Sequence, residues 1–175
     1  MPFTDLLRTT VFITGAEATA LGAITAVAIG RDDDSTTLFV AVAWWIVAVA
    51  IGFWLGRPAR AAEDMRDVLS RAKTATSLPS QSPARIAAGR LWPMALFAIG
   101  AGALGVFFPG VAAIGAGYAL LVSLAWHTRE AAVLAVEQRD GVKFYVLPPS
   151  ALRPVELIRT PGLRSEARQR GSYVG

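Results

Sequence analysis

The chain has 175 residues, of which 54% are hydrophobic and 17% are charged, and its mean hydropathy of +0.46 is high for a soluble globular domain. It has no cysteine and one histidine, His127, which excludes a disulfide framework, a cysteine nucleophile and a multi-histidine metal site. The net charge is +4 at pH 7, and the charged residues lie between apolar blocks, which is typical of a polytopic membrane protein.

Four apolar segments are predicted to cross a membrane as helices. A transmembrane helix needs about 20 apolar residues, within a range of about 17 to 25, and all four segments fall within it. The sequence therefore predicts an all-α integral membrane protein, with a four-helix transmembrane bundle at 1–127 and a tail at 128–175. The spans are predicted at 9–29, 36–55, 91–109 and 110–126.

The first span contains a carboxylate, Glu17, about 13 Å along the helix axis from Arg8. An unpaired charge at that depth is costly, so the side chain is expected to face the bundle, either protonated or hydrogen-bonded to a neutral group. Tyr118 is the first candidate donor because it lies at a similar depth in the fourth span. Three interpretations remain open: an acid that ties two helices together, a proton or substrate relay, and a contact with another protein. The other candidate donors are Trp45, Thr14 and Ser123.

Small residues recur at every fourth position in the first two spans. In a membrane this spacing lets helix backbones approach closely. We expect the contacts to lie within one bundle or, alternatively, between copies of the chain. The positions are Ala18, Gly22, Ala26 and Gly30 in the first span and Ala48, Gly52 and Gly56 in the second.

The loops predict the orientation of the spans. Every basic residue except Arg31 lies before the first span, between the second and third, or after the fourth. The positive-inside rule places these segments, and both chain termini, in the cytoplasm. Trp54, Trp92 and Trp126 lie near the same ends of the spans, as expected of an aromatic belt at the membrane surface.

A cytoplasmic helix is predicted at about 58–76, in the loop between the second and third spans. Pro58 suits a first helical turn, and the apolar residues follow helical spacing with charges on the other face. This helix is expected to lie on the anionic inner leaflet, or to extend the second span and pack on the tail. Ser82 and Pro83 are typical of the start of a short helix that leads into the third span, with Pro93 near the start of that span.

The tail is predicted to hold a β-hairpin at 133–147. Its strands, at 133–138 and 142–147, would flank Asp140-Gly141, and Asp-Gly between two β-rich runs is a strong turn signal. The competing interpretation is a helix at 128–139, since this segment also contains good helix formers. Because a lone hairpin is only marginally stable, it should pack on the predicted cytoplasmic helix, on the segment "LRPVELIRTPGL" or on a partner.

The tail segment "RDGVKFYVLPPSALRPVELIRTPG" resembles the tails of small uncharacterised multi-pass membrane proteins of high-GC Gram-positive bacteria. Arginine supplies 15 of the 17 basic residues, a bias in keeping with a high-GC genome. The resemblance implies a location in the bacterial inner membrane and carries no activity.

The sequence contains no phosphate-binding glycine loop, paired histidines or serine-histidine-acid set, so no catalytic residue, cofactor or metal site is predicted. The first hypothesis is a non-enzymatic accessory or scaffold subunit of a membrane complex. Its expected contacts are the anionic inner leaflet and a protein partner or second copy, and not nucleic acid. The alternative is a small proton-linked transporter or channel that uses Glu17. A lipid-modifying membrane enzyme is a further alternative, without a visible set of catalytic residues.

Overall fold

The computed structural model describes residues 1–32, 35–74, 82–147 and 155–161. Within these ranges the chain forms long helices, two shorter helices and a small sheet. In chain order the elements are α1 (Phe3–Asp32), α2 (Ser35–Leu55), α3 (Pro58–Ser70), β1 (Lys73–Thr74), α4 (Pro83–Gly105), α5 (Pro109–Trp126), α6 (Arg129–Asp140), β2 (Val142–Val146) and β3 (Leu157–Pro161).

The four helices α1, α2, α4 and α5 are long and apolar enough to cross a membrane, as the sequence predicts. Their outer faces carry large hydrophobic side chains that are mostly exposed, including Phe12 at 76%, Phe39 at 76% and Ile99 at 70%. Soluble proteins rarely expose contiguous apolar surface of this kind, whereas a lipid-facing surface requires it. The α1 helix has 30 residues and is therefore about 45 Å long, which exceeds the hydrocarbon thickness of about 30 Å.

The central helix of the bundle is α5, which packs against α1, α2 and α4. Its small side chains permit these close contacts, because backbones can approach where no bulky group intervenes. The sequence analysis identified small-residue spacing on α1 and α2 but not on α5. The buried small residues of α5 are Ala112, Ala113, Gly115, Ala116, Gly117, Ala119 and Ala125.

The small residues of α2 face α5. Ala48 is fully buried, and a Cβ atom built at Gly52 would lie 2.8 Å from Leu124 Cβ. The same stripe continues to Gly56, where a Cβ atom would meet the Leu124 carbonyl oxygen.

The small residues of α1 are divided between the interior and the surface. Ala18 is buried, and a Cβ atom at Gly22 would lie 3.8 Å from the Trp45 ring. Ala26 and Gly30 are exposed, so the small residues near the C-terminal end of α1 do not lie in a helix–helix contact.

A second structural unit lies at one end of the bundle, and we call it the cap: α3, α6, the three strands, and the first turns of α1 and α4. Its hydrophobic core draws on each of these elements except β1. The buried core residues are Phe3, Leu6, Leu7, Met65, Leu69, Ile86, Val133, Val142, Phe144, Val146 and Leu157.

The sheet of the cap has the strand order β1-β3-β2. The β1 and β3 strands are parallel, and β2 and β3 are antiparallel with Phe144 opposite Arg159. At the other side of β2, the Val146 N–H donates a 3.0 Å hydrogen bond to the Met1 carbonyl. The first residues of the chain are thereby attached to the strand that follows α6.

The predicted hairpin is wrong in its first strand and correct in its second. Residues 133–138 belong to α6, because Arg129–Asp140 is rich in good helix formers and Val133 packs into the cap core as part of that helix. Gly141 adopts φ +64° and ends the helix, which is a common role of glycine at a helix C-terminus. The partner of β2 is β3, within the segment "LRPVELIRTPGL", one of the packing sites that the sequence predicts.

Two helix boundaries also differ from the predictions. The helix predicted at 58–76 ends at Ser70, and Lys73–Thr74 is a strand that pairs with β3; residues 75–76 lie outside the described residues. The segment from Pro83 is one continuous helix with Pro93 inside it, so no separate short helix precedes the third span. A proline within a helix removes one hydrogen bond, and helices long and apolar enough to cross a membrane often contain one.

Candidate functional site

The first candidate site is the Glu17 carboxyl group on α1. Among the residues that the structure describes, Glu17 Oε1 is a buried oxygen without a hydrogen-bond partner. Glu17 lies on the same stripe of α1 as Leu21 and Ile24, which follow it by four and seven positions. A Cβ atom at Gly102 of α4 would lie 3.4 Å from Ile24 and 3.7 Å from Leu21. Leu21 also lies next to Gly115 of α5, so Glu17 is on the side of α1 that faces α4 and α5.

The structure does not pair Glu17 with Tyr118. Tyr118 is 51% exposed, and its ring lies 5.4 Å from the Trp44 ring at the outer side of α5. The neighbouring Gly117 and Ala119 occupy the buried face of α5 and turn Tyr118 outward. Depth along an axis does not determine the direction of a side chain.

The other candidate donors also form hydrogen bonds elsewhere. The Trp45 indole donates to the Ala113 carbonyl at 2.9 Å and connects α2 to α5. Ser123 donates to the Val11 carbonyl at 3.3 Å and connects α5 to α1. Thr14 donates to the Thr10 carbonyl, one turn earlier in its own helix, at 2.9 Å. Each donor thus satisfies a backbone carbonyl instead of the Glu17 carboxyl group.

The second candidate site is a groove on the outer side of the cap, between α3 and α6, which we call the basic groove. Its volume is about 390 Å³. Leu69, Val136 and Phe144 form an apolar floor, and arginines from α3, α6 and β3 surround it. The lining residues are Ala62, Arg66, Leu69, Ser70, Ala132, Ala135, Val136, Arg139, Asp140, Phe144 and Arg159.

The charge of the basic groove is positive. Arg139 Nε donates to Asp140 Oδ1 at 2.9 Å, and this hydrogen bond lowers the pKa of Asp140 and raises the pKa of Arg139. Both groups are therefore charged at neutral pH, and together they contribute no net charge. Arg66 and Arg159 add two positive charges, so the groove suits a ligand with negative charge and some apolar surface.

Side-chain contacts connect the cap to the bundle at the junction of α5 and α6. Arg129 Nη2 lies 3.2 Å from Asp64 Oδ2 on α3, and its guanidinium group stacks 4.6 Å from the Trp126 ring. Burial lowers the pKa of Arg129, and the charge of Asp64 opposes that shift. Thr128 donates to the Gly56 carbonyl at 2.8 Å, just after α2 ends. These contacts fix the direction in which the cap leaves the bundle.

The sequence analysis did not find the basic groove. Its residues come from α3, α6, β2 and β3, which lie far apart in the chain. The amphipathic spacing of α3 was the available signal, and it left the inner leaflet and the tail as alternatives for what covers the apolar face. The structure packs α3 against α6 of the tail. The groove forms only because 133–138 is helical, contrary to the prediction.

Comparisons with models of known protein families, with curated proteins and with solved structures return no match to this chain. Function is therefore inferred from the two sites alone.

Proposed function

We propose that this protein is a non-enzymatic accessory or scaffold subunit of a bacterial membrane complex. In this proposal the four long helices anchor the chain in the cytoplasmic membrane, and the cap is held at the inner surface for a partner protein. The observation that carries the proposal is the basic groove, a concave and positively charged surface on a folded unit that is fastened to the bundle.

The chemistry of the groove indicates the class of partner. Arg66 and Arg159 favour carboxylate groups, which guanidinium can bind through two parallel hydrogen bonds. The apolar floor favours one or two hydrophobic side chains between those carboxylates. An acidic segment with interspersed apolar residues, presented by a neighbouring subunit or a cytoplasmic protein, fits both requirements.

Site-specific photo-crosslinking in cells tests this function. A photoreactive amino acid at Ala135, inside the groove, should give one discrete adduct, and the same group at the exposed Glu63 on α3 should not. The adduct should disappear when Arg66→Glu and Arg159→Glu are combined, because the groove then repels carboxylates. It should persist in Arg85→Glu, an exposed arginine on α4 outside the groove. An adduct that is equal at both probe positions, or that survives the double charge reversal, contradicts the proposal.

The second candidate function is a small proton-linked transporter or channel, and the unpaired oxygen of Glu17 favours it. A buried carboxyl oxygen without a hydrogen-bond partner costs stability, and carboxyl groups in membrane spans are often part of transport pathways. Glu17→Gln retains the shape and removes the titratable group. If the protein is a scaffold, this variant should assemble and crosslink as the wild type does. A variant that assembles normally but no longer supports proton-dependent uptake in vesicles would favour the transporter instead.

A further inference from the structure

A cavity lies where the bundle meets the cap, and we call it the interfacial cavity. Its volume is about 380 Å³, within the range of about 300 to 1,000 Å³ that is usual for sites of small ligands. It is bounded by the first turns of α1, by α3, by α4 and by the junction of α5 and α6. This cavity is separate from the basic groove, because none of the residues that the structure describes lines both.

The interfacial cavity has an apolar part and a cationic part. Leu91, Met94 and Trp126 belong to its apolar walls, and Arg71, Arg90 and Arg129 supply positive charge from three separate elements. The described lining residues include three arginines and no carboxylate, and Asp64 pairs with Arg129 from beside the cavity, so the lining that the structure describes is net positive. An anionic ligand is therefore favoured over a neutral or cationic one.

The two parts are arranged along the direction of the bundle axis. Arg90 and Met94 are one helical turn apart on α4, which separates them by about 6 Å along that axis. Arg90 lies nearer the cap, and Met94 lies farther into the apolar span. An amphiphile whose charged group is at the membrane surface and whose chain points into the bilayer has the same polarity. Trp126 stands at the same junction, and tryptophan is enriched at the level of lipid headgroups.

We propose that the interfacial cavity binds one anionic phospholipid of the inner leaflet. Its phosphate lies at Arg71 and Arg90, and the start of one acyl chain lies along Leu91 and Met94. A basic pocket between membrane helices on the cytoplasmic side is a known type of site for such headgroups. The inference rests on the membrane placement in the proposed function. It does not depend on the basic groove or on any protein partner.

Native mass spectrometry of the full chain, released from detergent with added phosphatidylglycerol, tests this proposal. The wild type should retain one phosphatidylglycerol molecule and bind phosphatidylcholine much more weakly. Arg71→Gln combined with Arg90→Gln should weaken binding by at least about tenfold, since hydrogen bonds between charged groups are lost. Arg85→Gln is the matched control, because it removes the same charge from an exposed position of α4 and should leave binding unchanged.

A second variant tests the apolar part without changing charge. Met94→Trp should fill the cavity and reduce lipid retention by a similar factor, with folding checked by circular dichroism. If this variant does not fold, the arginine variants decide.

Equal losses in Arg85→Gln and in the double variant would overturn the proposal, because binding would then reflect general surface charge. Equal retention of phosphatidylcholine would overturn the anionic selectivity. Glycerol 3-phosphate that competes as well as the intact lipid would assign the cavity to a soluble phosphate instead. Failure of these tests would leave the crosslinking result of the basic groove unaffected.

Discussion

Replacing Gly52 with alanine tests how closely α2 approaches α5. A Cβ atom at this position would lie 2.8 Å from Leu124 Cβ, 3.2 Å from the Leu121 carbonyl oxygen and 3.3 Å from Leu121 Cα. Carbon atoms in favourable contact are about 3.5 to 4.0 Å apart, so the added methyl group cannot be accommodated in place. The obstructing atoms belong to the backbone and Cβ positions of α5, which can move only if the two helices separate.

The expected cost follows from that geometry. Adding a methyl group to a well-packed contact costs about 1 to 3 kcal/mol, and the better helix propensity of alanine returns about 1 kcal/mol. We therefore expect Gly52→Ala to destabilise the protein by about 0 to 2 kcal/mol. The matched control is Gly100→Ala on α4, where no heavy atom lies within 4 Å of the added Cβ atom. That variant should be neutral or slightly stabilised.

Equilibrium unfolding in mixed micelles of a mild detergent and dodecyl sulfate provides the measurement. Tryptophan fluorescence can follow it, since the chain has five tryptophans. The two alanine variants should differ by about 2 kcal/mol in their free energy of unfolding. Equal stability of Gly52→Ala and Gly100→Ala would refute the close contact between α2 and α5.

Two further variants test one hydrogen bond and one backbone conformation. Trp45→Phe removes the indole hydrogen bond to the Ala113 carbonyl and should lower the free energy of unfolding by about 1 kcal/mol in the same assay. A stability equal to that of the wild type would mean that this bond does not connect α2 to α5. Gly141→Val places a β-branched residue at φ +64°, which costs about 1 to 2 kcal/mol or more, so proteolysis at Lys143 should accelerate while the packing of the four long helices is retained. An unchanged cleavage rate would show that the cap tolerates a different end of α6.

The sequence determined the long helices well and the cap only in part. Long apolar runs have few alternatives in a chain of this composition, so the bounds of α2 and α5 agree closely with the predicted spans. The segment 129–140 was ambiguous, because its alanines and charged residues favour a helix and its valines favour a strand. The strand β2 pairs with β3, which begins 11 residues after β2 ends. Because β2 already has this partner, the residues before Gly141 do not have to form a strand.

The surroundings of Glu17 show a second limit of reasoning from sequence. Helical rise gave comparable depths for Glu17 and Tyr118, but the rotation of α5 about its own axis depends on which small residues face its neighbours. Gly115 and Ala116 face inward, with Leu21 next to Gly115, and this rotation turns Tyr118 to the surface. Such rotations are set by packing with several helices at once, so no single segment encodes them.

The orientation of the bundle is the claim on which both the scaffold function and the lipid site depend. The chain has no native cysteine, so Ser35→Cys and Ser82→Cys each introduce a unique thiol, at exposed positions on opposite ends of the bundle. Labelling with a membrane-impermeant thiol reagent should modify position 35 in intact cells, and position 82 only after the membrane is opened. Labelling of position 82 but not 35 in intact cells would reverse the orientation, and equal labelling of both would contradict a bundle that crosses the membrane.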